Sequence, residues 1–188
     1  QQLVKMNKDT AMIGSSAALA RALAELSRLA GIDRPVLILG PRGSGKELAA
    51  ERLHYLSARW SAPLHKINCA ALTETLLESE LFGHETGAFT GAVRQHRGHF
   101  ERAEGGSLLL DEFHTLSLRV QEKLLRVLEY GEFERVGGQR TLRADVRIIA
   151  ASNVDLRAAA QTGKLREDLL DRLCFDAVHL PGLTQRRE

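Results

Sequence analysis

The stretch Gly40–Glu47, Gly-Pro-Arg-Gly-Ser-Gly-Lys-Glu, constrains the fold more than any other part of this sequence. It follows the apolar run Val36–Leu39 and precedes a helix-like segment, Glu47–Ser57. A strand, a glycine-rich loop and a helix in this order are the context in which a loop binds phosphate. The backbone N–H groups of such a loop turn toward an anion, and the helix N-terminus adds partial positive charge. The alternative is a flexible glycine turn beside a chance lysine, which the flanking strand and helix disfavour.

Every residue of this loop is a candidate phosphate ligand: Gly40, Pro41, Arg42, Gly43, Ser44, Gly45, Lys46 and Glu47. Lys46 is placed to reach the β- and γ-phosphates as a point charge. The loop departs from the common pattern at Glu47, because a Ser or Thr hydroxyl usually holds magnesium there. Magnesium must therefore depend on another carboxylate, or on Glu47 through water.

Acidic and amide side chains end the other predicted strands. Asp111 and Glu112 follow the apolar run Ser107–Leu110. Opposite a phosphate loop, Asp111 can hold magnesium and Glu112 can polarise the attacking water. Asn68 is placed to bond a catalytic carboxylate, and Asn153 to contact the γ-phosphate or orient water, although either can simply form a turn.

The alternation of apolar strands with helical segments predicts an α/β fold. We expect a mostly parallel sheet with helices on both faces, interrupted by two loop insertions. Ligands of such sheets bind beyond the carboxyl ends of the strands, where the candidate residues fall. The net charge of +2 gives no reason for this segment to bind nucleic acid. Cys69 and Cys174 are predicted to be buried thiols of a reducing compartment. With no membrane-length apolar run and Gln1 first, the chain is interpreted as a cytoplasmic piece of a longer protein.

The first insertion, Glu80–Ala92, contains glycines that bracket a Phe-Thr pair. This composition predicts a mobile loop with Phe89 exposed at its tip; the alternative is that Phe89 folds into the core. His96 and His99 follow with helical ligand spacing, but a solvated basic surface is favoured over a metal site. The second insertion, Glu132–Leu142, is predicted to be a hairpin that turns at Gly137-Gly138.

Arginines in the predicted helix Leu165–Leu173 are the remaining charged candidates. Arg166 and Arg172 are six residues apart and would lie about 120° apart on a helix, so they need not share a target. The alternative for Arg172 is an i,i+4 pair with Asp168. Trp60 is predicted to be a half-buried aromatic that closes a helix, with a docking residue as the alternative.

With these residues in place, the sequence resembles the AAA+ domain of the bacterial enhancer-binding proteins that activate sigma-54 RNA polymerase, from about Gly14 to Leu183. The most specific motif is the loop with which this family engages sigma-54: Gly87, Ala88, Phe89, Thr90, Gly91 and Ala92. Glu47 in the phosphate loop is usual in this family. The resemblance implies a three-layer P-loop NTPase core over residues 14–183, a linker over 1–13, and over 184–188 the start of a connection to a helical lid that the chain lacks.

The resemblance also implies roles, cofactors and partners. Lys46 and its loop would bind ATP, Asp111 would bind Mg²⁺, and Glu112 would activate water. Asn68 would restrain that glutamate and Asn153 would act as the sensor. Arg166 and Arg172 would reach the ATP of a neighbouring subunit in a homo-oligomeric, hexameric ring. The target would be the sigma-54 RNA polymerase holoenzyme, and DNA would be bound only through a C-terminal domain absent here.

Within the family, segments around Trp60 and over residues 122–138 resemble the activators of phage-shock operons, in which a tryptophan at this position serves inhibitor docking. Phe113-His114 departs from the usual aliphatic residue and glycine, and the sequence offers no physical account of it. Two other classes remain open. One is a protein-remodelling AAA+ ATPase with a different target, and the other is a nucleotide-sensing module that does not hydrolyse ATP.

Overall fold

The computed structural model describes residues 17–182. The strands are β1 (Val36–Leu39), β2 (Leu64–Asn68), β3 (Ser107–Asp111), β4 (Glu132–Phe133), β5 (Leu142–Arg143), β6 (Arg147–Ser152) and β7 (Ala177–His179). The helices are α1 (Ala17–Ala30), α2 (Lys46–Tyr55), α3 (Glu74–Phe82), α4 (His99–Arg102), α5 (Leu118–Tyr130), α6 (Leu156–Gln161) and α7 (Glu167–Leu173), with a 3₁₀ turn over Phe113–Thr115. The predicted linker 1–13 and the segment 184–188 lie outside the described residues.

Five strands of the described chain form one sheet in the order β2-β3-β6-β1-β7, and every neighbouring pair is parallel. Their carboxyl ends therefore meet at one edge. The register places Asn68 opposite Asp111, and Leu39 opposite Ser152. Because β6 separates β3 from β1, the strand end that bears the acidic pair lies one strand away from the phosphate loop.

Alternate residues of the strands enter two separate cores. On one face, Val36 and Ile38 pack with residues of α1 and α2. On the other face, Leu37 packs with residues of α3, α5 and α7. Side chains that alternate along a strand and are apolar on both faces are typical of a parallel sheet between two helical layers. The predicted α/β three-layer fold is thus confirmed. Within residues 17–182, no helix is long and apolar enough to cross a membrane.

Three details differ from the sequence-based expectation. Helix α7 begins at Glu167, so Arg166 is the extended residue that precedes it rather than a helical one. The sequence predicts a last strand over Phe175–Leu180, but β7 covers only Ala177–His179 and Phe175 before it is 73% exposed. Cys69 is buried as expected, but Cys174 is exposed. Sequence periodicity predicts that residues such as Cys174 and Phe175 are buried, because it does not show where the helices that cover the sheet end.

Buried Arg147, at the start of β6, fastens α1 to the sheet. Its guanidinium donates hydrogen bonds to the carbonyl oxygens of Leu29, Ala30, Ile32 and Arg34, at 2.7–3.3 Å. The last carbonyls of a helix have no partner within the helix, and buried ones must find one elsewhere. One side chain therefore both terminates α1 and satisfies the turn that leads into β1.

We expect Arg147→Met to destabilise the fold by about 3 kcal/mol, because four carbonyls would lose their side-chain donor and only those of Leu29 and Ile32 would keep a backbone N–H partner, while the apolar volume is kept. Arg143→Met is the matched control: its side chain is 84% exposed and lies 4.0 Å from Glu132, so a change of less than about 1 kcal/mol is expected. Urea unfolding measures both. Equal losses in the two variants would contradict the role given to Arg147.

Candidate nucleotide-binding site

The phosphate loop connects β1 to α2 in a conformation that only small residues permit. Gly43 and Gly45 have φ of 74° and 90°, in the left-handed region that favours glycine. A Cβ at Gly40 would lie 2.5 Å from Ser44 Oγ, so this position must also be glycine. The buried Ser44 hydroxyl has no hydrogen-bond partner among the described residues. The loop is thus a backbone cradle with an unused polar group, which fits an anion.

Lys46 begins α2 and is largely buried, at 8% exposure. Its Nζ donates hydrogen bonds to the carbonyls of Gly40 (2.9 Å) and Pro41 (3.1 Å), so the ammonium lies across the mouth of the loop. This geometry holds the cation at the place where phosphate oxygens would replace the carbonyls.

Glu47, the unusual residue of the loop, points to solvent and pairs with Lys66 Nζ at 2.8 Å. Lys66 on β2 also bonds Glu51. Sequence reasoning missed Lys66, since a lysine in a short strand carries no motif. The pairing neutralises Glu47, which leaves Asp111 as the better candidate for direct contact with Mg²⁺.

The acidic pair stands at the carboxyl end of β3. Asp111 Oδ1 accepts a hydrogen bond from the backbone N–H of Glu112 at 3.0 Å. Glu112 has φ 54° and is the only non-glycine residue with positive φ in the described part of the chain. Such a conformation costs about 1–2 kcal/mol and is held here by Thr115, whose N–H and hydroxyl both bond the Glu112 carbonyl. The turn directs the Glu112 side chain away from the path of the strand.

The two asparagines flank this pair on neighbouring strands. Asn68 ends β2 in register with Asp111, and its Oδ1 accepts from the Ala70 N–H at 2.9 Å. Its predicted contact with Glu112 is not among the hydrogen bonds of residues 17–182. Asn153 follows β6 and lines an open cavity together with Leu39, Gly40 and Pro41. The structure therefore brings Asn153 to the phosphate loop and Asn68 to the acidic pair.

His114, which no sequence motif explains, lies next to Glu112 of the acidic pair. Its Nε2 lies 3.5 Å from Glu112 Oε2, and its Nδ1 lies 2.9 Å from Ser152 Oγ. Ser152 is completely buried, and its carbonyl accepts from the N–H of Gly40 at 3.3 Å. The spacing of a histidine three residues after an aspartate matches no general sequence motif. This contact is therefore seen only in the structure.

The two arginines lie apart from the phosphate loop. Arg166 forms a bidentate pair with Asp168, at 3.0 and 2.9 Å. This pair corrects the alternative expectation, since Asp168 bonds Arg166 and not Arg172. Arg172 lies 3.7 Å from Glu129 and is 47% exposed. Both guanidinium groups are at the surface of the chain.

The predicted sigma-54 loop is closed by its own backbone. The N–H of Gly87 bonds the Ala92 carbonyl at 2.7 Å, and the N–H of Ala92 bonds the Phe89 carbonyl at 3.0 Å. Phe89 is half-buried, with its ring edge-on to His84 at 4.9 Å between centroids. The outcome lies between the two expectations: Phe89 neither enters the core nor projects freely. Thr90 and Gly91 at the tip are exposed.

The hairpin insertion, in which β4 and β5 pair in antiparallel fashion, contacts the segment that carries this loop. Arg135 bonds Glu85 (2.9 Å) and Glu101 (2.7 Å). Val136 exchanges backbone hydrogen bonds with Glu85 and Gly83. Hydrogen bonds from Gln95 and Arg135 lower the pKa of the Glu85 carboxyl. The two insertions therefore form one unit.

The neighbouring histidines are less solvated than predicted. Burial, with smaller contributions from neighbouring charges, lowers the pKa of His99 to about 4, and its Nδ1 lies 2.8 Å from His65 Nδ1. His96 pairs with Glu80 at 3.3 Å. Among the described residues no group of three or more His, Cys, Asp or Glu side chains could hold a metal ion. Trp60 is 47% exposed, the half-buried state that was expected.

Comparisons with known proteins agree with this geometry. The family model described as "Sigma-54 interaction domain" matches residues 12–179. The Psp operon transcriptional activator of Escherichia coli is 58% identical over 93% of this chain and 54% of its own length. The Nif-specific regulatory protein of Azotobacter vinelandii is 51% identical over 97% of this chain and 35% of its own length.

Among solved structures, that of NtrX from Brucella abortus in complex with ATP is similar with a TM-score of 0.87 and 36% identity. The match covers 98% of this chain and 40% of the NtrX chain. The present chain thus spans about half, or less, of these relatives. The match of the family model over most of the chain, together with the phosphate loop and acidic pair, shows that the chain belongs to the Sigma-54 interaction domain family, the AAA+ domains of sigma-54-dependent transcriptional activators.

Proposed function

We propose that this chain is the ATP-hydrolysing module of an activator that remodels the closed promoter complex of sigma-54 RNA polymerase. The observation that carries the proposal is the meeting of Lys46, Asp111 and Glu112 at one edge of the sheet, beside a loop shaped for phosphate. The ATP bound by Brucella NtrX, a similar chain, supports the choice of nucleotide. We propose further that residues 14–183 form the α/β subdomain, joined through residues 184–188 to a helical lid.

In this proposal the loop Gly40–Glu47 orients the triphosphate and Lys46 neutralises its β- and γ-oxygens. Asp111 would hold Mg²⁺, which supplies further neutralisation of charge when bound. This fits a cation that usually takes one or two carboxylates together with phosphates and water. Glu112 would polarise water for in-line attack on the γ-phosphate, and Asn153 would contact that phosphate group.

Hydrolysis is proposed to require a homo-oligomeric, hexameric ring. Arg166 and Arg172 lie at the surface, where their weak pairs with Asp168 and Glu129 can be exchanged for a neighbour's nucleotide. An arginine supplied in this way raises the rate by about 10³–10⁵. Ring formation would then switch on the enzyme.

The loop Gly87–Ala92 is proposed to bind sigma-54. The tip of the loop is exposed, and Arg135 of the hairpin is paired with Glu85 just before the loop. This arrangement suits a loop that moves together with the hairpin when it contacts sigma-54. DNA would be reached through a separate C-terminal domain rather than through these residues, and because RNA polymerase works on the chromosome we place the protein in the cytoplasm. An inhibitor of the phage-shock type is proposed to dock at Trp60.

Glu112→Gln is expected to lower kcat for ATP hydrolysis by at least about a hundredfold with little change in ATP affinity, because only the water-polarising carboxylate is lost. Lys46→Ala is expected to weaken ATP binding itself. Phosphate release and nucleotide titration of the full-length protein measure the two effects. Glu122→Gln, an exposed glutamate on α5, is the control and should hydrolyse ATP normally. Undiminished hydrolysis by the Glu112 variant would sink the proposal.

Thr90→Ala is expected to abolish the complex between the full-length protein and isolated sigma-54 in the presence of ADP and aluminium fluoride, while ATP hydrolysis persists. Thr86→Ala, an exposed threonine just outside Gly87–Ala92, should still form the complex. Size-exclusion chromatography reports the result. A complex that survives in the Thr90 variant would place the sigma-54 contact elsewhere.

Trp60→Ala is expected to remove inhibition by a phage-shock inhibitor protein at least tenfold, whereas Trp60→Phe retains part of it, because truncating an exposed aromatic anchor costs ~2 kcal/mol or more. Inhibition of ATP hydrolysis by the added inhibitor is the measurement. The same inhibition constant in all three proteins would refute the docking role.

A further inference from the structure

The side chain of His114 lies beside Glu112, and neither the motif nor the proposed function gives it a role. It stands in the 3₁₀ turn Phe113–Thr115, directly after the strained Glu112. Its side chain and that of Glu112 are 18% and 16% exposed, so both are partly desolvated. Electrostatic interactions between partly buried groups are stronger than those at the surface.

We propose that His114 is a positioning residue for ATP hydrolysis, which holds the Glu112 carboxylate on the side of the sheet where the nucleotide binds. The inference rests on the proposed function, since it concerns the orientation of the acid that polarises water. At 3.5 Å the His114–Glu112 contact is longer than an ordinary hydrogen bond. Hydrogen bonds of this kind commonly shorten when the reacting complex forms.

The hydrogen bonds around Ser152 define how the imidazole is anchored. Ser152 Oγ accepts from the N–H of Val154 at 3.2 Å, so its own proton is free to be donated to His114 Nδ1 at 2.9 Å. The remaining imidazole proton is then on Nε2, directed at Glu112. This tautomer pairs Ser152 Oγ with Nδ1 and directs an N–H toward the Glu112 carboxylate at 3.5 Å.

The order of the strands gives the contact a direction. Ser152 ends β6, which lies between β3 and the phosphate-loop strand β1, whereas Asn68 ends β2 on the opposite side of β3. A Glu112 carboxylate held by His114 is therefore drawn toward the phosphate loop, and one held by Asn68 is drawn away from it. The Ser152 carbonyl also accepts a hydrogen bond from the N–H of Gly40. Contacts through Ser152 and His114 therefore connect the phosphate loop to Glu112.

The test compares His114→Ala, His114→Gln and His114→Asn in the full-length protein. The Ala variant is expected to lose about tenfold in kcat, the worth of one hydrogen bond to a charged group, with ATP affinity unchanged. The Gln amide reaches the position of Nε2 and should keep more activity than Asn, which reaches only that of Nδ1. An unchanged kcat in the Ala variant, or equal losses of affinity and kcat in all three, would overturn the inference.

A second substitution tests the direction of the pull. If Glu112 turns toward Asn68 once His114 is removed, then Asn68→Ala in the His114→Ala background should restore part of the lost kcat. Further loss, as expected for two independent defects, would contradict the opposition of the two side chains.

A spectroscopic measurement separates this inference from the proposed function. The ¹⁵N resonances of His114, assigned by their disappearance in His114→Gln, should report a proton on Nε2 and should shift in Glu112→Gln. They do so whether or not the protein hydrolyses ATP. Hydrolysis by the wild type no faster than by Glu112→Gln would refute the proposed function, while a His114 signal insensitive to Glu112→Gln would refute the positioning contact alone.

Discussion

The burial of both faces of a parallel sheet is the constraint on which the rest of this structure depends. It forces apolar residues along the central strands β1, β3 and β6, so polar side chains that serve chemistry stand where these strands end. Lys46, Asp111 and Asn153 come from distant parts of the sequence and meet at that edge for this reason. The position of the site is thus a consequence of how the core is built, and the chemistry follows from which residues occupy the strand ends.

Much of the fold and part of the site could be predicted from the sequence, because they rest on local pattern. The apolar run of β3 ends at Asp111, and Glu112 follows directly. The loop before Lys46 has the glycines that its backbone requires. The Lys66–Glu47 pair and the contact of His114 with Glu112 could not be predicted. Both depend on which strands are neighbours, and no spacing along the chain encodes that order. The exposure of Cys174 and the start of α7 after Arg166 likewise depend on where the helical layer ends.

The two insertions are connected to each other by side-chain and backbone contacts. Phe89 rests on His84, and the backbone of the same segment bonds Val136 of the hairpin. Arg135 ties the hairpin to Glu85 before the loop and to Glu101 in α4. A displacement of α4 or of the hairpin would therefore be passed to the Gly87–Ala92 tip through ion pairs that can exchange partners, without unfolding the loop.

The place of β1 in the sheet has a consequence for biosynthesis. This strand carries the phosphate loop, yet it lies between β6 and β7, which are encoded more than a hundred residues later. A nascent chain that has emerged only as far as β3 has no neighbours for β1, and α1 lacks the Arg147 that terminates it. Contacts of such long sequence separation form late. The phosphate loop is therefore fixed between its neighbouring strands only when β6 and β7 have left the ribosome, so an interrupted polypeptide would expose the apolar side chains of β1.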